Sequence, residues 1–169
     1  MIKKYLITLF ISLLLNSVTC SADTNSAYKM GTDDVTHLIA KNSNLKKGID
    51  ATNQAKKFQK KGKIKKAKKR YNDAIKFFTQ ANEENPSNPN ILNYLGFSYS
   101  QVNDFLMAEI YFTEGLEIEP KHIGLNEYLG YLYVETNRIN KAKERLKVLK
   151  NCNCEEFKRL DSAIKQITS

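Results

Sequence analysis

Cys152 and Cys154, with one asparagine between them, are the side chains of this 169-residue sequence best placed to do chemistry together. A Cys-x-Cys pair suits three roles: a disulfide that staples a turn, a thiol redox couple, or half of a copper or zinc site. His122 is the lone candidate for a further ligand and lies far off in sequence, and two cysteines fall short of a closed zinc site. The other histidine, His37, reads as a surface residue. Glu114, Glu117 and Glu119 sit at spacings that suit a solvated helix face. With seven glycines in all, the sequence holds no phosphate-cradling loop, and neither a nucleophile elbow nor paired histidines occur. No catalytic set, cofactor site or metal site is expected, which leaves surface recognition as the working chemistry.

The redox setting of the two cysteines depends on where the chain travels. Met1 to Ala22 opens with Lys3 and Lys4, continues through an apolar run from Tyr5 to Leu15, and ends on the small residues Cys20-Ser21-Ala22. That is the layout of a secretory signal peptide, and the run, at about 11 residues, is well short of the roughly 20 that a bilayer span needs. Removal of residues 1–22 would take Cys20 away and leave an even pair in an exported protein, which favours a Cys152–Cys154 disulfide. The periplasm is the expected destination. A lipid on Cys20 would anchor the chain instead, although Ser17 and Thr19 make the resemblance to a bacterial lipoprotein box a poor one.

Residues 23–50 are rich in Ser, Thr, Asn, Asp and Lys without a sustained period, a composition that predicts a flexible polar leader. Charge then becomes lopsided. Lys41 to Arg70 holds thirteen bases against Asp50, a net of 13 − 1 = +12, whereas Tyr71 to the end holds eleven bases and fourteen acids, 11 − 14 = −3. The overall +9 therefore comes from one block, either a solvated helix face or a polyanion-binding patch. In an exported protein, anionic lipid headgroups or an acidic protein suit such a patch, and nucleic acid does not.

The elements that position these groups are helices marked by a thirty-four-residue period. Leu92-x-x-Leu95-Gly96-x-x-Tyr99, Ala108-x-x-x-Phe112 and Pro120 return as Leu129-Gly130-x-x-Tyr133 and Ala142-x-x-x-Leu146. Ala74-x-x-x-Phe78 and Pro86 precede them at the same shift. Leu95 and Tyr99, like Ala108 and Phe112, lie one helical turn apart and share a face. Gly96 and Ala108 are small enough to let two helix backbones approach, and Pro120 closes the unit. This pattern resembles the tetratricopeptide repeat (TPR) family.

The resemblance implies an all-α TPR helical solenoid of antiparallel helix pairs. Its domain would span 51–169, with repeats at about 55–88, 89–122 and 123–154 and a capping helix over 155–168. Phe157, Leu160, Ala163, Ile164 and Ile167 form the apolar face of that last helix. In the first repeat, Phe58 and Gly62 fall in the slots of Leu92 and Gly96, but Lys61 and Lys65 then occupy those of Leu95 and Tyr99. Burying an unpaired lysine is costly. A half-formed first repeat in a shifted register is therefore expected, with Ala55, Phe58, Ile64, Ala67 and Tyr71 as its apolar stripe.

In TPR proteins the first helix of each repeat lines a peptide-binding groove. Carried over by register, the groove positions are Lys56, Gln59, Lys63 and Lys66 in the first repeat. Asn90, Asn93, Tyr94, Phe97 and Gln101 follow in the second, and Glu127, Tyr128, Tyr131 and Glu135 in the third. Chaperone-binding members clamp a terminal carboxylate with Lys, Asn and Arg; Gln59, Lys63, Tyr94, Gly124 and Tyr128 stand at those places here, so that clamp is not implied. The expectation is an exported, non-enzymatic adaptor whose partner is another protein or peptide with apolar anchors and an acidic flank. The alternatives are a lipid-anchored assembly factor for an envelope or pilus system, and a small thiol redox or metal-handling protein. Because stacking needs about three repeats and only two are well marked, self-association through the first repeat is a further expectation.

Overall fold

Three turns of one design organise the chain, which a computed structural model describes at Ile39 and over residues 42–168. Gly62, Asn103 and Asn137 adopt φ of 67°, 71° and 57°. In each turn the next residue donates its amide to a carbonyl five residues back: Lys63 to Phe58, Asp104 to Tyr99 and Arg138 to Tyr133. This is the left-handed helix stop that glycine and asparagine tolerate. Each turn folds two helices against one another: α1 (Ser43–Lys60) with α2 (Ile64–Glu84), α3 (Pro89–Gln101) with α4 (Phe105–Ile118), and α5 (Ile123–Glu135) with α6 (Ile139–Leu149). A seventh helix, α7 (Glu155–Thr168), follows. With no strand among the described residues, the hairpins stack into an all-α solenoid.

Helix starts follow the local sequence. Asn42 accepts the Leu45 amide at 2.8 Å, and Asp104 accepts that of Met107 at 3.2 Å. Asn88 accepts from Asn90 and Ile91, with Pro89 at the first helical position. His122 caps α5 through Nδ1, which accepts the Leu125 amide at 3.1 Å. With Nδ1 accepting, Nε2 carries the proton and donates to Asn90 Oδ1 at 3.0 Å. Both ring nitrogens are thus engaged, and the residue considered as a lone metal ligand is a helix cap that ties the third hairpin to the second.

Packing between hairpins keeps the thirty-four-residue period: Phe78 stacks on Tyr94 at 5.0 Å and Phe112 on Tyr128 at 6.2 Å. Each of these rings also presses on a glycine of its own hairpin, Phe78 on Gly48 and Phe112 on Gly96. Here the first hairpin departs from expectation. Thirty residues separate Gly48 from Phe78, but sixteen separate Gly96 from Phe112. The fourteen extra residues divide evenly. Twelve residues of α1 follow Gly48 against five of α3 after Gly96, and α2 begins fourteen residues before Phe78 where α4 begins seven before Phe112. Seven residues are two helical turns, so the first hairpin is longer by about 10 Å.

The expected register of the first repeat is therefore incorrect. Gly62 is the turn residue, matching Asn103 and not Gly96, and Lys61 lies beside it in water. Nor is the repeat half-formed. Ala55, Ala67 and Tyr71 are buried and, with half-buried Phe58, make an additional layer between α1 and α2 rather than a stripe on one helix. Ile64 is excluded from that layer and is 52% exposed. The polar leader also ends earlier than residue 50, because α1 starts at Ser43 and Leu45 is fully buried. The expected signal segment 1–22, Cys20 and His37 lie outside the described residues. No described helix is long and apolar enough to cross a membrane.

At the far end α7 covers the third hairpin as expected of a cap. Leu160 fills the space above Gly130 that a larger residue would occupy, and Ile164 is buried beside it. Ile167, expected on the same apolar face, remains exposed. The glycine–ring layer yields a direct comparison. Gly96→Ala would place a methyl group 2.5 Å from the Phe112 ring and is expected to lower stability by about 1–3 kcal/mol. Gly62→Ala meets nothing within 4 Å and should cost only the left-handed backbone strain, about 1 kcal/mol. Urea denaturation measures both, and a Gly96→Ala loss no larger than that of Gly62→Ala would contradict the tight layer.

Candidate functional site

Phe97 on α3 sits where the three hairpins meet. Its ring lies edge-on to Tyr71 at 6.0 Å, 5.0 Å from Tyr128, and beneath Lys56 Nζ at 4.9 Å. Tyr94, a turn earlier on α3, stacks on Phe78, while Tyr128 on α5 bridges Phe97 and Phe112. Lys56, Tyr94, Phe97, Tyr128 and Tyr131 are all half-buried, so each keeps part of its surface accessible. Burial pushes the Tyr94 hydroxyl up to about 12 and that of Tyr128 further still, and it lowers the Lys56 ammonium. These groups stand in a poorly hydrated surface where hydrogen bonds and apolar contacts both gain strength.

The other expected groove residues are placed elsewhere. Lys63 lies in the first turn and Lys66 on α2, with its Nζ 6.0 Å from the Phe58 ring. Neither belongs to a first helix. Counted from Gly48 rather than Gly62, the positions assigned to Gln59 and Lys63 fall on Leu45 and Ile49, which are apolar, so a carboxylate clamp is absent in this register as well. Gln59 itself accepts from the Tyr71 hydroxyl at 2.9 Å and meets Gln101 at 3.3 Å. Asn90 is engaged by His122, and Asn93 is buried.

Glu127 is the clearest displacement. It is 2% exposed, and its Oε1 accepts from Arg159 Nε on α7 at 2.8 Å. Arg159 also reaches Glu156 at 3.2 Å. Burial raises the Glu127 carboxyl while Arg159 pulls it back, and the two carboxylates hold Arg159 firmly protonated. Glu127 therefore fastens the cap to α5 and is not a groove residue. Tyr71, expected only on an apolar stripe, lies edge-on to Phe97, and matching Lys61-Gly62-Lys63-Ile64 to Val102-Asn103-Asp104-Phe105 would have located the turn that sets α1 and α2 on either side of it. Between α6 and α7, Cys152 packs on the core, and its Cα lies 5.1 Å from that of Cys154 with the sulfurs in contact. Among the described residues no three side chains gather as a metal site.

Stacked hairpins with a half-buried aromatic face define a helical-repeat scaffold. The tetratricopeptide-repeat model matches residues 53–88 and 90–122, so the first two hairpins carry repeats of this type within the all-α solenoid. Among solved structures, the TPR2B domain of yeast Sti1, in a pHsp70 complex, has a TM-score of 0.56 at 13% identity over 72% of this chain and 96% of that one. The first TPR of Spaghetti (RPAP3), bound to the HSP90 peptide SRMEEVD, scores 0.52 at 20% identity, covering 74% and 96%. The Yersinia enterocolitica type III secretion translocator chaperone SycD scores 0.52 at 16% identity, covering 70% and 81%. At these identities the likeness is one of fold. No curated protein matches the chain in sequence.

The ion pair under the cap carries a prediction. Arg159→Ala leaves the Glu127 carboxylate buried without its guanidinium and is expected to cost about 2 kcal/mol. Replacing both by leucine should recover much of that loss, since a buried pair is worth little more than apolar packing. Chemical denaturation followed by circular dichroism separates the two, and an unchanged midpoint for Arg159→Ala would contradict the assignment.

Proposed function

We propose that this protein is a non-enzymatic adaptor that holds an extended or helical segment of another protein along the face shared by α1, α3 and α5. The observation that carries the proposal is the aromatic row Tyr94, Phe97, Tyr128 and Tyr131, half-buried and flanked by Lys56. Rings held rigid by packing lose little freedom on binding, and aromatic side chains of this kind dominate interface energetics. Solved relatives in fold bind short peptides, one of them the acidic SRMEEVD. Without clamp residues, this face favours internal apolar anchors over a chain terminus, with Lys56 attracting an acidic neighbour.

The test places a photo-crosslinking residue at Tyr131 in cells and, for comparison, at exposed Thr113 on α4. Adducts with a protein partner are expected from Tyr131 only. With that partner's segment in hand, Tyr131→Ala should weaken binding by about 2 kcal/mol, while Lys56→Gln mainly slows association. Phe97→Ala is a poorer probe, because Phe97 also supports Tyr71 and Tyr128. Equal crosslinking from Thr113, or unaltered binding by folded Tyr131→Ala, would place the partner on another surface.

We infer further that the adaptor works outside the cytoplasm, in the periplasm of a bacterial envelope, with Cys152 and Cys154 joined as a disulfide staple. The signal-like start of the sequence and the 5.1 Å Cα separation, within the range a disulfide requires, support this reading. Thiol counting on the exported protein, denatured without reductant, is expected to find neither cysteine free. Two free thiols would contradict the staple.

A further inference from the structure

Residues 51–72 contain ten basic side chains and no acid. The register places them together. They occupy the two added turns of α1, the turn at Gly62 and the two added turns of α2, so the hairpin extension and the basic block are one feature. Inside it lie Ala55, Ala67 and Tyr71; Lys57, Lys60, Lys61, Lys63, Lys65, Lys66, Lys69 and Arg70 are exposed around it. Arg70 reaches Asp73 at 3.2 Å. Among the described residues no carboxylate pairs with any of the tip lysines.

This arrangement works against the hairpin's own stability. Lys65 and Lys69, like Lys66 and Arg70, are like charges one helical turn apart, and Lys65 and Lys66 sit at the positive end of the α2 dipole. A polyanionic partner would relieve all of these repulsions at once. We propose that the tip docks end-on onto an anionic membrane surface, its lysines among the headgroups and Ile64 at the boundary with the acyl chains. Three observations favour a membrane over nucleic acid. Charge surrounds both helices except on their buried faces, which suits a plane better than a rod or groove. Nine of the ten bases are lysines, point charges matched to a diffuse field rather than the planar forks that read phosphates and bases. Ile64, at the apex between Lys63 and Lys65, is 52% exposed, as an interfacial anchor should be. Docking by the tip leaves the aromatic face open, so this is a second surface, with Lys56 alone common to the basic block and the peptide site.

The full chain and its variants are tested by flotation with vesicles of phosphatidylcholine, with and without phosphatidylglycerol. All forms share the same amino-terminal segment, so differences between them report the tip. Expected is binding that requires phosphatidylglycerol and falls steeply with salt. A lysine near an anionic surface contributes about fivefold, so combined Lys60→Gln, Lys61→Gln, Lys63→Gln and Lys65→Gln should lose well over tenfold. Ile64→Ser should lose several-fold at unchanged charge, and circular dichroism should be the same for all forms. Three results would overturn the proposal: no binding to anionic vesicles at low salt, undiminished binding by the quadruple variant, or displacement from vesicles by duplex oligonucleotide at equal phosphate.

Discussion

A ring pressed onto a helix backbone where only a hydrogen leaves room is the contact on which the rest of this molecule depends. Phe78 makes it at Gly48 and Phe112 makes it at Gly96, and α7 supplies Leu160 at Gly130. Such close approach fixes how near the paired helices lie and which residues face the next hairpin. Tyr94 and Tyr128 then stack on the outer sides of Phe78 and Phe112. One layer therefore both closes each hairpin and presents the aromatic row, so core and binding face cannot be altered separately.

The second and third hairpins were legible because their marks recur at one spacing, with asparagine turns and a proline break between them. The first was legible only in its second half. Its added turns come in sevens, and a seven-residue insertion returns a helix to nearly the same face. Phe58 and Gly62 therefore mimic the positions of Leu92 and Gly96 while lying elsewhere. The misplaced lysines follow from that slip: in the shifted frame Lys61 takes a core slot, whereas the core begins at Leu45. The turn at Gly62 held the correct register, yet glycine in a basic run carries little weight until its counterpart, Asn103, is set beside it.

The candidate surface was legible in its aromatic members and not in its polar ones. Tyr94, Phe97 and Tyr128 converge because repeat register alone aligns them. Glu127 is removed from that surface by Arg159, thirty-two residues away on a helix outside the repeat pattern, and no local period anticipates such a pairing. Asn90 is likewise engaged by a histidine cap. What remains is a face whose apolar part is built by the solenoid, with charge concentrated beyond it on the lengthened hairpin.

The central claim is that the first hairpin repeats the packing of the second with two more turns in each helix, and a nuclear Overhauser measurement addresses it directly. Cross-peaks are expected between the α-protons of Gly48 and the ring protons of Phe78, alongside those between Gly96 and Phe112. A hairpin of ordinary length would instead connect Phe78 to Gly62, and cross-peaks from Gly62 with none from Gly48 would contradict the account.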